Sequence, residues 1–401
     1  MSGSVFPGWP RSSDDLVPLP NCDGPKLEPF DFHGPQKIEF LEYIGEGLHA
    51  HVVKVQIRNR IYAVKLFRFC FDDDWLSPDY DMGRKDWEMM RAFYEYAEPF
   101  NCECRAFARL KEAGHEDLAI GCFGYLLLDE EHERKLLTQL HDHRIEFNGS
   151  INCPGGNHDE GPIRERFLGP DGRPPPIRGI VKEYAPPGEE HEFRQADAEK
   201  MLADVKKLQQ LGITCIDVAA RQVIGGRISD FSTAVTTPHF ATTPELNPHL
   251  TPDMRRAVEL QTFIHAKEDY LEFDSMIRVW NREHAKEHGV ITTSAFPGHK
   301  GAPGLCRYDF RRKVAQKRVY TFVDPRLYDW KVRPRKGVKN RRRPLRAKPP
   351  LWIYRCGENE GLANSLMSAS TKFMGIEWEY RDGRIFPRMS DPDTIALLAR
   401  N

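Results

Sequence analysis

The chain has 401 residues, of which 40% are hydrophobic and 29% charged, and a formal net charge of −1 at pH 7. This length favours two or three domains, or one large domain with insertions, and the apolar content suffices for a packed core. No stretch approaches the roughly 18 apolar residues of a membrane span, so no membrane contact is expected. The start of the chain lacks signal-peptide features, and nine cysteines, an odd number, do not indicate a disulfide framework. We therefore expect an intracellular, reduced protein.

The predicted elements begin after a segment rich in proline, glycine and serine, residues 1–35, which we expect to be a disordered tail. Strand patterns follow at 38–44, 52–57 and 61–67, and helical patterns at 84–96 and 99–113, the second opening with a proline. Residues 117–128 predict two short strands. The polar stretch that follows, about 129–176, predicts a long insertion loop.

The second half of the chain contains further periodic segments. The patterns predict a strand at 177–184, an amphipathic helix at 195–211, a hairpin at 223–228 and a helix at 252–284. A C-terminal hairpin is predicted at 376–386, with Asp382 and Gly383 suited to a tight turn.

Charge is concentrated in one segment of this half. Lys331 to Lys348 contains ten lysines and arginines and no acid, so removing those ten charges from −1 leaves −11 for the rest. Two interpretations stay open. The segment is a solvated loop in which Pro334 and Pro344 prevent a helix, or it serves nuclear import or contacts nucleic-acid phosphates non-specifically.

Two glycines and a lysine near the N-terminus predict a phosphate-binding hairpin. Gly45 and Gly47 have no Cβ, so backbone N–H groups there can approach phosphate oxygens closely. Val52 follows in the next strand. Lys65 stands two residues after Ala63 in a third strand, where it can supply a positive charge to phosphates.

Two aspartates predict the other side of the same site. Asp217 and Asp230 are thirteen residues apart, with the hairpin 223–228 between them. Phosphoryl transfer requires one carboxylate near the attacking hydroxyl and another that holds magnesium. At this spacing alone, aspartates more often cap turns; their place after Lys65 and a long helix favours a shared cleft.

In this order the motifs resemble those of the protein-kinase superfamily. The matches in the first part are Gly45-x-Gly47-x-x-Ala50-x-Val52 for the glycine loop, Ala63-Val64-Lys65 for the strand lysine and Glu103 for its helix partner, with Glu88 and Glu95 as weaker candidates. The later matches are Val181-Lys182-Glu183-Tyr184 for the hinge, Asp217 to Gln222 for the catalytic loop and Asp230-Phe231-Ser232 for the metal motif. The resemblance implies an α+β, bilobal protein-kinase-like fold, with an antiparallel β-sheet upper lobe and a mainly helical lower lobe.

The resemblance also implies a domain organisation and site roles. The kinase-like domain would span 36–290, followed by a basic extension, 291–401. ATP and Mg²⁺ are the implied cofactors. Asp217, Lys65 and Glu103 would be catalytic, Asp230 and Gln222 would hold the metal, and the nucleotide would contact Gly45, Gly47, Val52, Ala63, Lys65, Glu183 and Tyr184.

Several residues depart from the superfamily pattern. Cys215 and Ile216 replace a His-Arg pair, Ser232 replaces a glycine, and Gln222 replaces an asparagine. The extra methylene of Gln222 displaces its amide by about an ångström, whereas magnesium requires ligands at about 2.0–2.1 Å, so we expect a weakened second metal site. The segment from Asp230 to Glu245 is short and leaves little platform for a peptide substrate.

A second resemblance is narrower. The segments Cys22 to Pro35, Ile38 to Gly47, Pro99-Phe100 and Glu103 to Ala106, with the basic C-terminal region, are similar to fungal kinetochore Sim-complex subunits of the Fta-two type. This similarity implies a nuclear protein that acts by binding protein partners.

Three hypotheses follow. The first is a divergent kinase-fold protein that binds nucleotide and acts as a binding or scaffold subunit in a nuclear or kinetochore assembly. The second is an active ATP-dependent protein phosphotransferase with Asp217 as base and Asp230 as magnesium ligand. The third is a nucleic-acid-binding protein acting through Lys331 to Lys348. The altered catalytic loop favours the first, with the nucleus or cytoplasm as its location.

Overall fold

The structure is a computed structural model that describes most of the chain. The described residues are 5–12, 15–70, 87–150, 153–154, 162–169, 171–185, 193–240, 242–246, 252–296, 319–331, 342–349, 351–355, 376–381 and 384–389. Over these residues the protein is a mixed α+β structure with an antiparallel sheet and five α-helices.

The helices and strands have the following bounds. The helices are α1 Trp87–Ala97, α2 Pro99–Ala113, α3 Glu130–Gln139, α4 Gln195–Gln210 and α5 Pro252–His288. The first strands are β1 Glu39–Glu46, β2 Ala50–Ile57, β3 Arg60–Phe67, β4 Cys122–Leu127, β5 Gly149–Ser150, β6 Cys153–Pro154 and β7 Arg178–Glu183. The remaining strands are β8 Ile213–Thr214, β9 Val223–Ile224, β10 Arg227–Ile228, β11 Val235–Thr236, β12 Val319–Val323, β13 Leu351–Arg355, β14 Ile376–Arg381 and β15 Arg384–Met389.

One antiparallel sheet has five strands in the order β1-β2-β3-β7-β4. Its register places Val52 opposite Lys65, and Ala63 opposite Lys182. Paired residues lie on the same face of a sheet, as do residues two apart on one strand. Lys65 and Lys182 are therefore diagonal neighbours on one face. The other strands pair in two-stranded ladders.

Two tight turns follow from residues that tolerate a positive φ. Arg58 and Asn59, at φ +50° and +61°, connect β2 to β3. Gly225 and Gly226, at φ +56° and +72°, connect β9 to β10. Two consecutive positive φ values match the right-handed twist of the flanking strands, so both hairpins close over two residues.

Helix α2 is buried along nearly its whole length. Its start is fixed by Glu98, whose side chain accepts hydrogen bonds from the backbone of Phe100 and Asn101, and by Pro99 in the first turn. Glu98 also forms a buried ion pair with Arg178 of β7, at 2.6 Å. The helix ends at Gly114, at φ +69°. The sheet and α2 are thus joined by a charged pair as well as by apolar packing.

Buried apolar side chains form two clusters. One joins the sheet to α1, α3 and the N-terminal Phe6. The other lies among α2, α4 and α5 and extends to Phe322 of β12. Ile385 of β15 belongs to the first cluster, so the C-terminal hairpin contributes a buried side chain to this core.

Most predicted elements are confirmed with small changes in their ends. The three N-terminal strands, β7, α2, α4, the β9–β10 hairpin and the C-terminal strands all form, and α5 extends four residues beyond the predicted end. Asp382 and Gly383 lie outside the described residues, as do 84–86 of the predicted helix that became α1. Residues 117–128 form one strand, β4, rather than two, because the first piece begins as a 3-10 turn at Glu116–Leu118 and makes only a single bridge to Ile228.

The prediction of a disordered tail at 1–35 is wrong for the described part of that segment. Phe6 and Leu27 are buried, and residues 28–30 pair with β4 through hydrogen bonds from Phe30 N to Tyr125 O, 2.7 Å, and from Tyr125 N to Glu28 O, 3.1 Å. The open edge of β4 offers unpaired backbone groups that this segment satisfies. A few apolar anchors therefore outweigh the proline and glycine content.

The predicted insertion loop also contains regular structure. It begins with α3, whose first turn is capped by Asp129 accepting the His132 N–H at 2.8 Å. Leu136 of this helix is fully buried. The polar composition reflects the exposed face of α3, so the absence of a long apolar run does not imply the absence of a helix.

Leu27→Ala tests the packing of the N-terminal segment. Leu27 is 1% exposed, so we expect the substitution to lower the free energy of unfolding by about 2–3 kcal/mol through lost burial and an unfilled cavity. Denaturant unfolding measures the change. Val17→Ala is the control, because Val17 is 51% exposed in the same segment. Equal small effects of the two substitutions would show that the segment does not pack as described.

Candidate functional site

A cavity of about 540 Å³ lies between the β1–β2 turn, the sheet face bearing Lys65, and the segment 217–233. Its volume is within the range of about 300–1,000 Å³ typical of small-molecule sites. All residues predicted for the site except Glu103 line it, namely Gly45, Gly47, Val52, Ala63, Lys65, Glu183, Tyr184, Asp217, Gln222 and Asp230. The fold thus brings residues from five separate segments to one cavity.

The two glycines form part of the cavity roof. A Cβ added at Gly45 or Gly47 would meet no atom within 4 Å, so packing within the chain does not require glycine at either position. Gly47 N–H donates to Ala50 O at 2.8 Å and closes the turn. The space beside both glycines is open to a ligand.

Lys65 stands at the inner end of the cavity between two carboxylates. Its Nζ lies 2.7 Å from Glu103 Oε2 and 2.7 Å from Asp230 Oδ1. Burial opposes the charged form, but Asp230 and Glu103 together raise the pKa of Lys65. Burial likewise would raise the pKa of Asp230, yet Lys65 and Lys182 lower it on balance. Lys65 is therefore held in its charged form between the two carboxylates, and Asp230 in its ionised form.

Lys182 belongs to the same group, although sequence reasoning gave it no site role. It forms an ion pair with Glu103 Oε1 and donates to the Ser229 carbonyl at 2.7 Å. Glu103 is completely buried, and its carboxylate forms ion pairs with both lysines. The one signal in the sequence that could have identified this residue is that Lys182 follows the apolar pair Ile180-Val181 in β7.

His49 is a second residue that sequence reasoning missed. It lies buried at the tip of the β1–β2 turn, with Nδ1 3.3 Å from Ser232 Oγ. Burial lowers the pKa of His49 to about 4, and the nearby Lys65 acts in the same direction. The imidazole is therefore neutral at physiological pH and joins the roof to the segment after Asp230.

Asp217 is engaged by its own loop. Its Oδ2 accepts from Arg221 Nη2 at 2.6 Å and from Gln222 Nε2 at 2.7 Å. The amide of Gln222 therefore turns its nitrogen, rather than its oxygen, toward the carboxylate. Asp217 and Gln222 both lie at the cavity, but their Oδ2 and Nε2 atoms form a hydrogen bond with each other and do not face a ligand site freely.

The backbone before Asp217 is held by Asp269 of α5. Its two carboxylate oxygens accept from Cys215 N at 3.2 Å and Ile216 N at 2.7 Å, and Oδ2 also accepts from Gln209 Nε2 at 3.0 Å. Ile216 has φ +67°, a strained conformation for a β-branched residue. Burial raises the pKa of Asp269 to about 7. The carboxyl group therefore holds a strained turn beside the cavity.

The outer end of the cavity is formed by Glu183 and Tyr184. Glu183 accepts two hydrogen bonds from Arg227, at 2.8 and 3.0 Å, and its pKa is lowered by that guanidinium. Lys54 Nζ lies over the Tyr184 ring, 4.8 Å from its centre. Both side chains are thus engaged by cationic partners from within the chain.

Two buried arginines of α2 fix the chain that follows Asp230. Arg105 donates to the carbonyls of Thr236, at 3.0 Å, and Pro238, while Arg109 donates to the Thr237 carbonyl at 2.7 Å. Arg105 also donates to Asp23 O at 2.9 Å. One helix thus carries Glu103 and the residues that anchor two distant segments.

The two residues predicted to hold magnesium, Asp230 and Gln222, have other contacts in the structure. Asp230 Oδ1 accepts from Lys65 and from Ser232 N, at 2.8 Å, and Gln222 turns its Nε2 toward Asp217. Within the described ranges no three histidine, cysteine, aspartate or glutamate side chains are grouped as a metal site. The arrangement does not fit the oxygen-rich coordination that magnesium prefers.

The other sequence features have simpler outcomes. Glu95 binds Asn21 N at 2.6 Å, away from Lys65, and the side chain of Glu88 lies outside the described residues. The described end of the basic segment lies against α2, where Arg343 N donates to Ala113 O at 2.8 Å. Residues 332–341 are outside the described part, so nucleic-acid contact stays a prediction. None of the helices that the structure describes has the length and apolar character to span a membrane.

The fold and site define a mixed α+β protein in which a sheet, a buried helix and a charged cleft form one unit. A family model described as kinetochore Sim4 complex subunit FTA2 matches residues 16–235, more than half of the chain. The chain therefore belongs to this family. No curated protein matches it.

Proposed function

We propose that the protein has a bilobal protein-kinase-like fold whose cleft binds ATP or a related nucleotide, and that it acts as a binding or scaffold subunit of a kinetochore assembly in the nucleus. The observation that carries this proposal is the buried contact of Lys65 with Glu103 and Asp230 at the inner end of the cleft. A charged, desolvated group in a cavity is typical of functional sites.

The arrangement of elements supports the kinase-like fold. The glycine turn and Lys65 lie on the antiparallel sheet, Glu103 lies on a helix packed beside it, and Asp217 and Asp230 lie on loops flanking the β9–β10 hairpin. These positions follow the order in which the sequence motifs resemble the superfamily. The same cavity is lined by every residue predicted for the site except Glu103, which supports the proposal.

The walls of the cleft suit a flat, apolar ring joined to an anion. Ile44 and Ile224, which are 46% and 38% exposed, line the cavity together with Val52 and Ala63. Covering exposed apolar side chains with a ring is favourable because it removes their surface from water. Lys65 at the inner end supplies a cation for phosphates.

Binding without phosphate transfer is supported by the state of Asp217. A general base must reach the proton that it removes. One oxygen of Asp217 already accepts from Arg221 and Gln222, so these contacts must break before that oxygen can serve a substrate hydroxyl. The scaffold role follows from membership of a kinetochore-subunit family.

Lys65→Ala tests nucleotide binding. We expect ATP at a hundredfold excess over its Kd to raise the free energy of unfolding of the natural protein by about 2.7 kcal/mol, and to have no such effect on the variant. The variant itself should fold, because Lys182 still pairs with Glu103. Thermal unfolding and calorimetric titration, each with and without magnesium, measure the effect.

Lys207→Ala is the control, since Lys207 lies on α4 and pairs with Asp204. Nucleotide that stabilises the Lys65 variant as much as the natural protein would contradict the proposal. A phosphate-transfer assay on Asp217→Asn separates the alternative function. Transfer by the natural protein that this substitution abolishes would establish a phosphotransferase in place of a purely binding subunit.

A further inference from the structure

We infer that this cleft binds its nucleotide without a divalent cation, and that Lys182 together with Lys65 supplies the positive charge that a metal ion would otherwise bring. The inference rests on the proposed nucleotide binding and specifies its chemical form as the metal-free anion.

Lys182 lies on the wall of the cleft beside Lys65. Its partner across the β3–β7 ladder is Ala63, so its side chain shares the cleft-facing side of the sheet with Lys65. Lys182 lines the cavity and is 6% exposed. Its ammonium is held by Glu103 and the Ser229 carbonyl, which fixes it at the inner end of the cleft.

The charged groups at the inner end of the cleft balance one another. Two lysines face two carboxylates, Glu103 and Asp230, so the group is neutral. Without Lys182 the same group would carry one net negative charge, which repels phosphates unless a cation compensates it. Lys182 removes this requirement within the chain itself.

The predicted metal ligand Asp230 already accepts hydrogen bonds from within the chain. A magnesium ion needs free oxygen ligands at short, nearly fixed distances. Asp230 Oδ1 accepts from Lys65 and Ser232 N, and the other predicted metal ligand, Gln222, turns its Nε2 toward Asp217. A metal at Asp230 Oδ1 would have to displace two donors and would meet no oxygen of Gln222 as it is oriented, whereas a phosphate can accept hydrogen bonds from the lysines as they stand.

The experiment compares ligands and variants of the full-length protein by calorimetric titration. ATP is titrated in excess EDTA and in excess magnesium, and adenosine is titrated as the phosphate-free probe. The variant is Lys182→Met, which preserves the length and apolar stem of the side chain while removing its charge. Lys207→Met removes the same charge from the surface of α4 and is the matched control.

For the natural protein and the control we expect ATP affinities with EDTA and with magnesium to agree within about threefold. Lys182→Met should weaken ATP binding in EDTA by about tenfold or more, since a nearby charge is lost from a poorly solvated site. Its affinity for adenosine should be unchanged, which also shows that the variant is folded.

Each other result overturns the inference in a distinguishable way. ATP binding by the natural protein that needs magnesium contradicts metal-free binding but leaves the nucleotide site in place. An ATP affinity in EDTA that Lys182→Met does not alter excludes Lys182 as the compensating charge. Failure of the natural protein to bind ATP or adenosine under both conditions removes the proposed function as well.

Discussion

Glu103→Gln is expected to lower the free energy of unfolding by about 3–5 kcal/mol, the cost of removing one partner from a buried ion pair. Glu103 is completely buried and its two oxygens face Lys65 and Lys182. Glutamine has nearly the same shape, so the loss arises from charge rather than from packing. Both ammonium groups then share Asp230, with no second buried carboxylate between them.

Urea unfolding of natural protein and variant, compared at constant m value, measures this loss. Glu131→Gln on α3 is the control. Its side chain is 59% exposed and pairs with Lys135, which is 47% exposed, so we expect a change below about 1 kcal/mol. Similar losses for both glutamates would contradict the description of Glu103 as the central counterion.

The double substitution Glu103→Gln with Lys182→Met provides a further check. Removing one of the stranded lysines should recover part of the stability, so the combined loss should be smaller than the sum of the separate losses. Strict additivity would indicate that Glu103 and Lys182 do not interact.

Asp269→Asn is expected to lower the free energy of unfolding by about 1–3 kcal/mol at pH 5, because an N–H donor then faces a buried backbone N–H. The substitution also releases the turn at Ile216, whose φ of +67° depends on these hydrogen bonds. Nucleotide affinity should fall along with stability, since the released turn leads directly into Asp217. Asp142→Asn, at a side chain that is 85% exposed, is the control.

The pH dependence of this effect has a definite sign. Burial raises the pKa of Asp269 to about 7 from an ordinary value of 3.8, so the folded state binds a proton that the unfolded state has lost between these pH values. The stability contributed by this group is fully present below pH 3.8 and is lost as the pH rises through about 7. The natural protein should show this decline and Asp269→Asn should lack it. Parallel stability–pH curves for the two proteins would contradict the assignment.

The parts of the site that sequence reasoning located share a simple property. Gly45, Lys65, Asp217 and Asp230 are recognisable because each occurs in a short segment with a characteristic neighbour or spacing. The strand and helix periodicities place those segments in order along the chain. What local patterns could not give is the pairing of segments. Lys182 becomes a site residue only because β7 lies beside β3, a contact between residues more than a hundred positions apart.

Asp269 and the N-terminal segment illustrate two further limits. Nothing near Asp269 in the sequence shows that its carboxyl group meets the backbone of Cys215 and Ile216. The N-terminal residues have the composition of a tail, yet Phe6 and Leu27 find buried sites that the rest of the chain provides. Composition describes the average segment, whereas a few anchors and an open sheet edge determine this one.

The contacts of Arg105, on the far side of α2 from Glu103, affect how readily the cleft accepts a ligand. Glu103 and Arg105 are two positions apart, which places them on nearly opposite faces of the helix, about 200° from each other. Rotating α2 to withdraw Glu103 from its lysines would therefore also break the bonds of Arg105 to Asp23 and Thr236. The inner end of the proposed nucleotide site is therefore held in its assembled arrangement by contacts elsewhere on α2. We expect the measured affinity to lie close to the intrinsic affinity, because little binding free energy is spent on assembling the site.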